Sequence, residues 1–128
     1  MKAKILEIIE GRKSELQKAL DRARERMQAD FKHFFCYESE DTYRSFYIFE
    51  RIEQLQKDVE ETQSAEDLTN LLKHGADFYL RKLTDSELFA STSIHMVNVS
   101  RNLEMEAAQI LYRLYTHLYQ NALKCSLN

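Results

Sequence analysis

The chain of 128 residues contains no proline and only two glycines, Gly11 and Gly75. Domains rich in β-strands need many tight turns, and tight turns depend on glycine and proline. The scarcity of both residues therefore argues against a β-rich fold and favours long helices joined by short polar loops. A chain of this length is expected to form one domain, covering residues 1–128.

Cysteines and long apolar runs are also scarce. The two cysteines, Cys36 and Cys125, give neither a disulfide framework nor a paired metal spacing, so we expect reduced thiols in a cytoplasmic protein. No apolar run approaches the roughly 18 residues that a membrane-spanning helix needs. The N-terminal segment MKAKILEIIEGRK lacks the pattern of a signal peptide, because acidic residues interrupt its apolar part. The net charge of −3 gives no overall attraction to nucleic acid or to an anionic membrane.

Apolar residues recur with helical periodicity and predict four helices, at about residues 2–35, 41–62, 65–83 and 86–124. The inward stripes of these helices are Ile5, Ile9, Leu16, Leu20, Ala23, Met27 and Phe34; Ile48, Ile52, Leu55 and Val59; Leu68, Leu72, Tyr79 and Leu83; and Met96, Leu103, Ala107, Ile110, Leu114 and Leu118. Short connections imply antiparallel neighbours. The expected fold class is therefore all-α, an antiparallel up-down four-helix bundle with long first and last helices.

Several local signals set the expected boundaries. The acidic segment YESED at 37–41 predicts a break, and Ser64 with Asp67 and Thr84 with Glu87 resemble capping boxes at the starts of the third and fourth helices. The segment at 90–100 has low helix propensity, so a kink, a break or a short strand remains open there. Gly75 either permits close approach of a neighbouring helix or ends one short helix and begins another.

Eight of the fourteen aromatic residues lie in the segment FKHFFCYESEDTYRSFYIF at 31–49. Tyr43, Phe46 and Tyr47 fall on the side of their helix opposite the inward stripe. In the last helix, Tyr112, Tyr115 and Tyr119 form a second stripe beside the apolar one. Three explanations stay open: the rings cover the ends of the bundle, they meet another protein chain, or they stack on a small ligand.

Sequence motifs that mark catalytic or metal sites are missing. There is no Gly-rich phosphate loop, no nucleophile elbow, no H-E-x-x-H and no CxxC. None of the four histidines follows a glutamate at the spacing that di-iron bundles use. We therefore expect no metal, no cofactor and no catalytic residue.

Arg113 and His117 form the most distinctive polar pair, one helical turn apart on the last helix. The pair resembles the Arg and His that helical ribonucleases of the HEPN class carry on a late helix, and the resemblance implies a dimeric RNA-cleaving module. That class places four to six residues between Arg and His, whereas three separate them here, and the position after Arg is the core residue Leu114. The pair is also typical of an ordinary boundary pair on a helix.

Arg22, Arg24 and Arg26 form a basic run that raises the question of nucleic-acid binding. Asp21 and Glu25 are interleaved with it, and such alternation is more typical of a solvated, salt-bridged helix face. The hypothesis that the sequence favours is a non-catalytic, cytoplasmic helical module that binds protein, either a second copy or a different chain. Its anchors would be Tyr43, Phe46 and Tyr47, or Tyr112, Tyr115 and Tyr119. The alternatives are a nucleic-acid-binding or RNA-cleaving module and a helical sensor of a small molecule.

Overall fold

The computed structural model describes the backbone of residues 1–85 and 93–127. All the secondary structure in these two ranges is helical, as the sequence predicts. The helices are α1 (Lys2–Ala29), α2 (Phe31–Tyr37), α3 (Ser39–Glu61), α4 (Ala65–Thr84) and α5 (His95–Leu127). The described part of the chain therefore contains five helices where the sequence predicts four. As predicted, the first and last helices, α1 and α5, are the longest of those described.

The extra helix arises because the predicted first helix is interrupted at Asp30. The backbone of Asp30 leaves the helical region, at φ −152° and ψ 89°, and its carboxylate accepts a hydrogen bond from the amide of His33 at 3.1 Å. A short acidic side chain in this position satisfies a free amide of the next helix, so it begins α2 as it ends α1. Arg26, in the last turn of α1, forms an ion pair with Glu38, the residue that follows α2, and so links the end of α1 to the end of the short helix.

The other boundaries follow the predicted signals closely. The break at 37–41 is confirmed, and the structure reduces it to Glu38 alone. Ser64 accepts a hydrogen bond from the amide of Asp67 at 3.0 Å and begins α4, as expected. Thr84 is the last residue of α4, and its hydroxyl lies 3.2 Å from the carbonyl oxygens of Leu80 and Arg81, to which it can donate. The capping box predicted for Thr84 with Glu87 lies partly outside the described residues.

The start predicted for the last helix, near residue 86, lies outside the described residues. Within them, α5 begins at His95 and continues without a break to Leu127. The part of the weak segment that the structure describes is thus helical from His95 onward, and the strand alternative is wrong there. Low intrinsic propensity is a small term that tertiary packing often overrides.

One hydrophobic core draws its residues from α1, α3, α4 and α5. The inward stripe predicted for α3 is confirmed, since all four of its residues are buried, and so is most of that predicted for α1 and α4. Met96 and Ile110 are exceptions on α5, because both are exposed.

The two glycines lie inside unbroken helices. Gly75 sits in α4, and the ring of Tyr115 on α5 occupies the space where a side chain at position 75 would begin. Close approach of a neighbouring helix is therefore the explanation that holds for Gly75. Gly11 sits in α1 with open space around it, and the helix continues through it.

Candidate functional site

The largest aromatic surface of the described chain lies at α2 and the first turns of α3. Five rings there remain exposed, and we call them the aromatic end: Phe31, Phe35, Tyr37, Tyr43 and Phe46. Phe31, Phe35 and Tyr37 expose 63%, 57% and 76% of their surface. Large rings exposed side by side in this way are characteristic of contact surfaces rather than of scattered surface residues.

Three of these five rings, Phe31, Phe35 and Tyr37, lie on the short helix α2. In seven residues it carries four aromatic side chains, and only Phe34 is buried. The rings of Phe31 and Phe35, one turn apart, stack with their centroids 6.1 Å apart. The helix therefore fixes one ring in the protein and presents the others as an ordered group.

Two apolar grooves adjoin the aromatic end. The first, of about 310 Å³, runs between α1 and the α2–α3 segment, and it is lined by Gln17, Leu20, Ala23, Arg24, Met27, Phe34, Thr42, Phe46 and Phe49. The second, of about 350 Å³, runs between α3 and α5, and it is lined by Phe35, Ser39, Glu40, Tyr43, Met96, Val99, Ser100 and Leu103. Exposed rings thus stand beside open apolar depressions.

Polar contacts hold the start of α3 against α5 beside the second groove. The hydroxyl of Tyr43 donates to a carboxylate oxygen of Glu104 at 3.1 Å. Burial, followed by the charge of Glu104, raises the pKa of Tyr43 above its ordinary value. Arg44 pairs with Asp41 on its own helix and with Glu106 on α5. These contacts fix the position of Tyr43 relative to the groove that it lines.

Tyr47, which the sequence places on the outward side of its helix with Tyr43 and Phe46, is instead partly buried against the core. The reason is that α3 also meets α4, where Lys82 Nζ donates to the Tyr47 hydroxyl at 3.4 Å. The guanidinium of Arg51 lies 5.3 Å from the centre of the same ring. Tyr47 thus has neighbours on both sides within the chain.

The tyrosine stripe of α5 also packs within the chain. Tyr115 is 8% exposed, and Tyr112 and Tyr119 are partly buried against the core. The arc is broad because α5 contacts α1, α3 and α4, so that it has neighbours on several sides. The ring centroids of Tyr115 and Tyr79 lie 5.5 Å apart. Burial raises the pKa of Tyr79 to about 12 and raises that of Tyr115 still further.

Arg113 and His117 line a third groove, of about 610 Å³, that opens between α1, α3 and α5. We call it the arginine groove, and its lining residues are Arg12, Glu15, Leu16, Arg44, Ser45, Ile48, Ile52, Ile110, Arg113, Leu114 and His117. The amide of Asn121 lies 3.4 Å from Nε2 of His117 and donates to its carbonyl oxygen at 2.9 Å. The structure thus brings Arg113 together with two arginines that are distant in sequence.

The basic run of α1 does not join the arginine groove. Arg22, Arg24 and Arg26 are all exposed, Arg26 pairs with Glu38, and Arg24 lines the first apolar groove. The five basic residues considered for nucleic acid therefore divide between separate surfaces.

Sequence reasoning missed three features of these surfaces. Met96 was assigned to the core, yet it is exposed and lines the second groove. Phe31 belongs to none of the predicted stripes, and the structure exposes it at the start of α2, directly after the break at Asp30. The sequence analysis assigns no role to Arg12. The signal that could have found it is its spacing of one helical turn from Leu16, which lines the same groove.

Within the described residues, no group of three or more His, Cys, Asp or Glu side chains could hold a metal ion. Cys36 and Cys125 are free and exposed. None of the helices in residues 1–85 and 93–127 has the length and apolar character required to cross a membrane. Comparisons of the chain with protein-family models, with curated proteins and with solved structures find no match.

Proposed function

We propose that this chain is a non-catalytic helical module that acts by binding protein, and that its first partner is a second copy of itself. The aromatic end provides the contact. The observation that carries the proposal is that Phe31 and Phe35 are more than half exposed and stack on each other, and that Phe35 lines one of the two apolar grooves that adjoin the aromatic end. Rings of this size bury about 150–250 Å² each when they are covered, which is a large contribution for a chain of this length.

A second copy suits this surface because it carries both halves of the contact. Rings that project and grooves that accept them lie on the same end of one molecule. A two-fold axis beside α2 would place the projecting rings of each copy in the grooves of the other, as isologous dimers require. Aromatic residues are also enriched at the centres of protein interfaces, because they add area at little cost in rotamer entropy.

The same proposal includes the arrangement of the helices and the place of action. We propose that α1 with α2, followed by α3, α4 and α5, forms one antiparallel up-down bundle. Lys2 at the start of α1 donates to the carbonyls of Glu60 and Thr62 at the end of α3, which supports opposite directions for this pair. Two exposed free thiols favour a reducing compartment such as the cytoplasm.

Sedimentation equilibrium over a range of concentrations tests the self-association. The wild-type chain should form a dimer in a concentration-dependent way, and the double variant Phe31→Ser/Phe35→Ser should remain a monomer. Phe78→Ser is the matched control, because Phe78 is an exposed ring on α4 that lines neither apolar groove. A wild-type chain that stays monomeric at high micromolar concentration contradicts the proposal, and so does a double variant that dimerises as tightly as the wild type.

A further inference from the structure

The arginine groove combines an apolar floor with a cationic rim. Each of its three helices supplies residues at helical spacing: positions 12, 15 and 16 of α1, positions 44, 45, 48 and 52 of α3, and positions 110, 113, 114 and 117 of α5. Residues three or four positions apart lie on one side of a helix. The groove is therefore formed by one side of each of three helices, and no loop residue of the described chain lines it.

The floor of the groove is aliphatic and continuous with the core. Ile48, Ile52 and Leu114 line it and are buried, whereas Leu16 is partly buried and Ile110 is exposed at the edge. A volume of about 610 Å³ falls within the range of sites that take small organic molecules, roughly 300–1,000 Å³. No phenylalanine, tyrosine or tryptophan stands among the described lining residues, and their one ring is the imidazole of His117. The groove therefore offers a ligand tail mainly dispersion contacts with aliphatic side chains.

The rim carries two arginines whose charges have no ion-pair partner among the residues that the structure describes. Among residues 1–85 and 93–127, neither Arg12 nor Arg113 takes part in an ion pair. Arg44 differs, because Asp41 and Glu106 already offset its charge. Two guanidinium groups on facing helices, α1 and α5, are therefore available to an anion at the mouth of the groove.

We propose that the arginine groove binds a monoanionic carboxylate with an aliphatic tail. The carboxylate would lie between Arg12 and Arg113, since the planar guanidinium matches a carboxylate in a two-point contact. The tail would cover Ile48, Ile52 and the exposed edge of Ile110. Glu15, which also lines the groove, repels additional negative charge and so selects a monoanion over a dianion or a polyanion.

The whole set of lining residues, and not the pair of Arg113 and His117 alone, indicates this class of ligand. Single-stranded nucleic acid is bound by cationic grooves that also carry aromatic rings for its bases. The arginine groove has the cations, but the one ring among its described lining residues is the imidazole of His117. An aliphatic floor of this kind favours a saturated hydrocarbon chain, because burial of apolar surface supplies most of the binding free energy there.

Titration with sodium decanoate, below the concentration at which it forms micelles, tests the proposal. Backbone amide shifts in ¹⁵N NMR spectra report both the affinity and the place of binding, and a chain of 15.2 kDa suits the method. The shifts should cluster on the groove-lining segments of α1, α3 and α5. Acetate, which lacks the tail, and decyltrimethylammonium, which reverses the charge, should each bind at least about tenfold more weakly, a difference of about 1.4 kcal/mol.

Charge variants locate the head group. Arg12→Gln and Arg113→Gln should each weaken decanoate binding about tenfold or more. Arg22→Gln is the matched control, because Arg22 is an exposed arginine on the same helix as Arg12 but outside the groove, and it should leave the affinity unchanged. Glu15→Gln should strengthen binding. Because all four side chains are exposed, the variants should keep the wild-type circular dichroism spectrum.

Several results would overturn the inference. These are shifts that map outside the groove, equal loss of affinity in Arg22→Gln and Arg113→Gln, and decyl phosphate binding tenfold more tightly than decanoate. The inference does not depend on self-association through the aromatic end. The monomeric variant Phe31→Ser/Phe35→Ser should bind decanoate with wild-type affinity, so a failure of one proposal can be told from a failure of the other.

Discussion

The ring of Tyr115 lies in the place of the side chain that Gly75 lacks. A Cβ atom at position 75 would stand 2.0 Å from Cε1 of Tyr115, well inside the contact distance of two carbon atoms. α4 and α5 share the most extensive contact of the fold, and this pair lies within it. The absence of one side chain thus sets how closely the two helices approach each other.

Gly75→Ala should destabilise the protein even though alanine is the better helix former. The gain in helix propensity is about 1 kcal/mol. The added methyl group meets a ring that is 8% exposed and that also contacts Tyr79, so the ring has no free space to enter. Overpacking of this kind costs about 1–3 kcal/mol. Urea unfolding measures the net loss.

A double-mutant cycle separates the clash from other effects of the alanine. Tyr115→Leu alone should destabilise, because it removes a large buried ring. In the background of Tyr115→Leu, however, Gly75→Ala should cost less than in the wild type or should stabilise. Equal costs of Gly75→Ala in both backgrounds would show that the ring is not the obstacle.

Gly11→Ala should have the opposite effect. No atom lies within 4 Å of a Cβ atom built at position 11, and the residue is inside the continuous helix α1. The substitution therefore gains helix propensity without a steric cost, and it should raise the free energy of unfolding by about 0.5–1 kcal/mol. Thermal unfolding of the two glycine variants side by side gives the comparison, and a destabilised Gly11→Ala would contradict it.

Alkaline pH should destabilise the fold through its buried tyrosines. Burial, assisted by the charge of Tyr47 and opposed by that of Arg51, raises the pKa of Tyr79 from 10.0 to about 12. The unfolded chain therefore loses this proton first, so the contribution of Tyr79 to stability is constant below pH 10 and falls as pH rises toward 12. Tyr79 alone accounts for about 2–3 kcal/mol of this loss. Tyr79→Phe should flatten the profile of urea unfolding against pH, and an unchanged slope would contradict the assignment.

Ser64→Ala should weaken the start of α4. The Ser64 hydroxyl accepts from the amide of Asp67 at 3.0 Å and satisfies one of the free donors at the end of the helix. Removal of such a cap costs about 1 kcal/mol, whereas Ser64→Asp should retain most of the stability. Urea unfolding gives the free energy of unfolding of both variants. If Ser64→Asp loses as much stability as Ser64→Ala, the cap hydrogen bond contributes little.

Salt should separate the two proposed contacts. Raising the ionic strength from 0.1 M to 1 M shortens the Debye length from about 10 Å to about 3 Å. Decanoate binding to the arginine groove should weaken, because it depends on exposed guanidinium groups. Self-association through the aromatic end should be unchanged or stronger, because it depends on apolar contact. Sedimentation and NMR titration at both salt concentrations measure the two effects.

Periodicity was sufficient to identify most of the core. The spacing of Ile48, Ile52, Leu55 and Val59 places them on one face of a helix whatever that helix meets, and all four are buried. The role of Ser64 as a helix cap could also be predicted from the sequence, because it depends only on Asp67, three residues further along the chain. Signals of this local kind need no knowledge of the neighbouring helices.

Other features depended on contacts between distant parts of the chain. Asp30 interrupts a sequence whose apolar stripe continues through Phe34, so periodicity alone predicted one long helix. Tyr47 is predicted on the outward side of its helix and Tyr115 beside the core stripe of its own. Contacts with neighbouring helices decided that both pack inward. The approach of Arg12 to Arg113 across a groove has no signature in either local sequence.

The amino-acid sequence by itself determined the helical class, most helix ends and the faces that turn inward, because turn chemistry and periodicity act over a few residues. Only the tertiary structure decided which rings stay exposed and which cations share a groove. Those outcomes depend on how far neighbouring helices approach or separate, and that distance is set by pairs such as Gly75 and Tyr115, which belong to different helices.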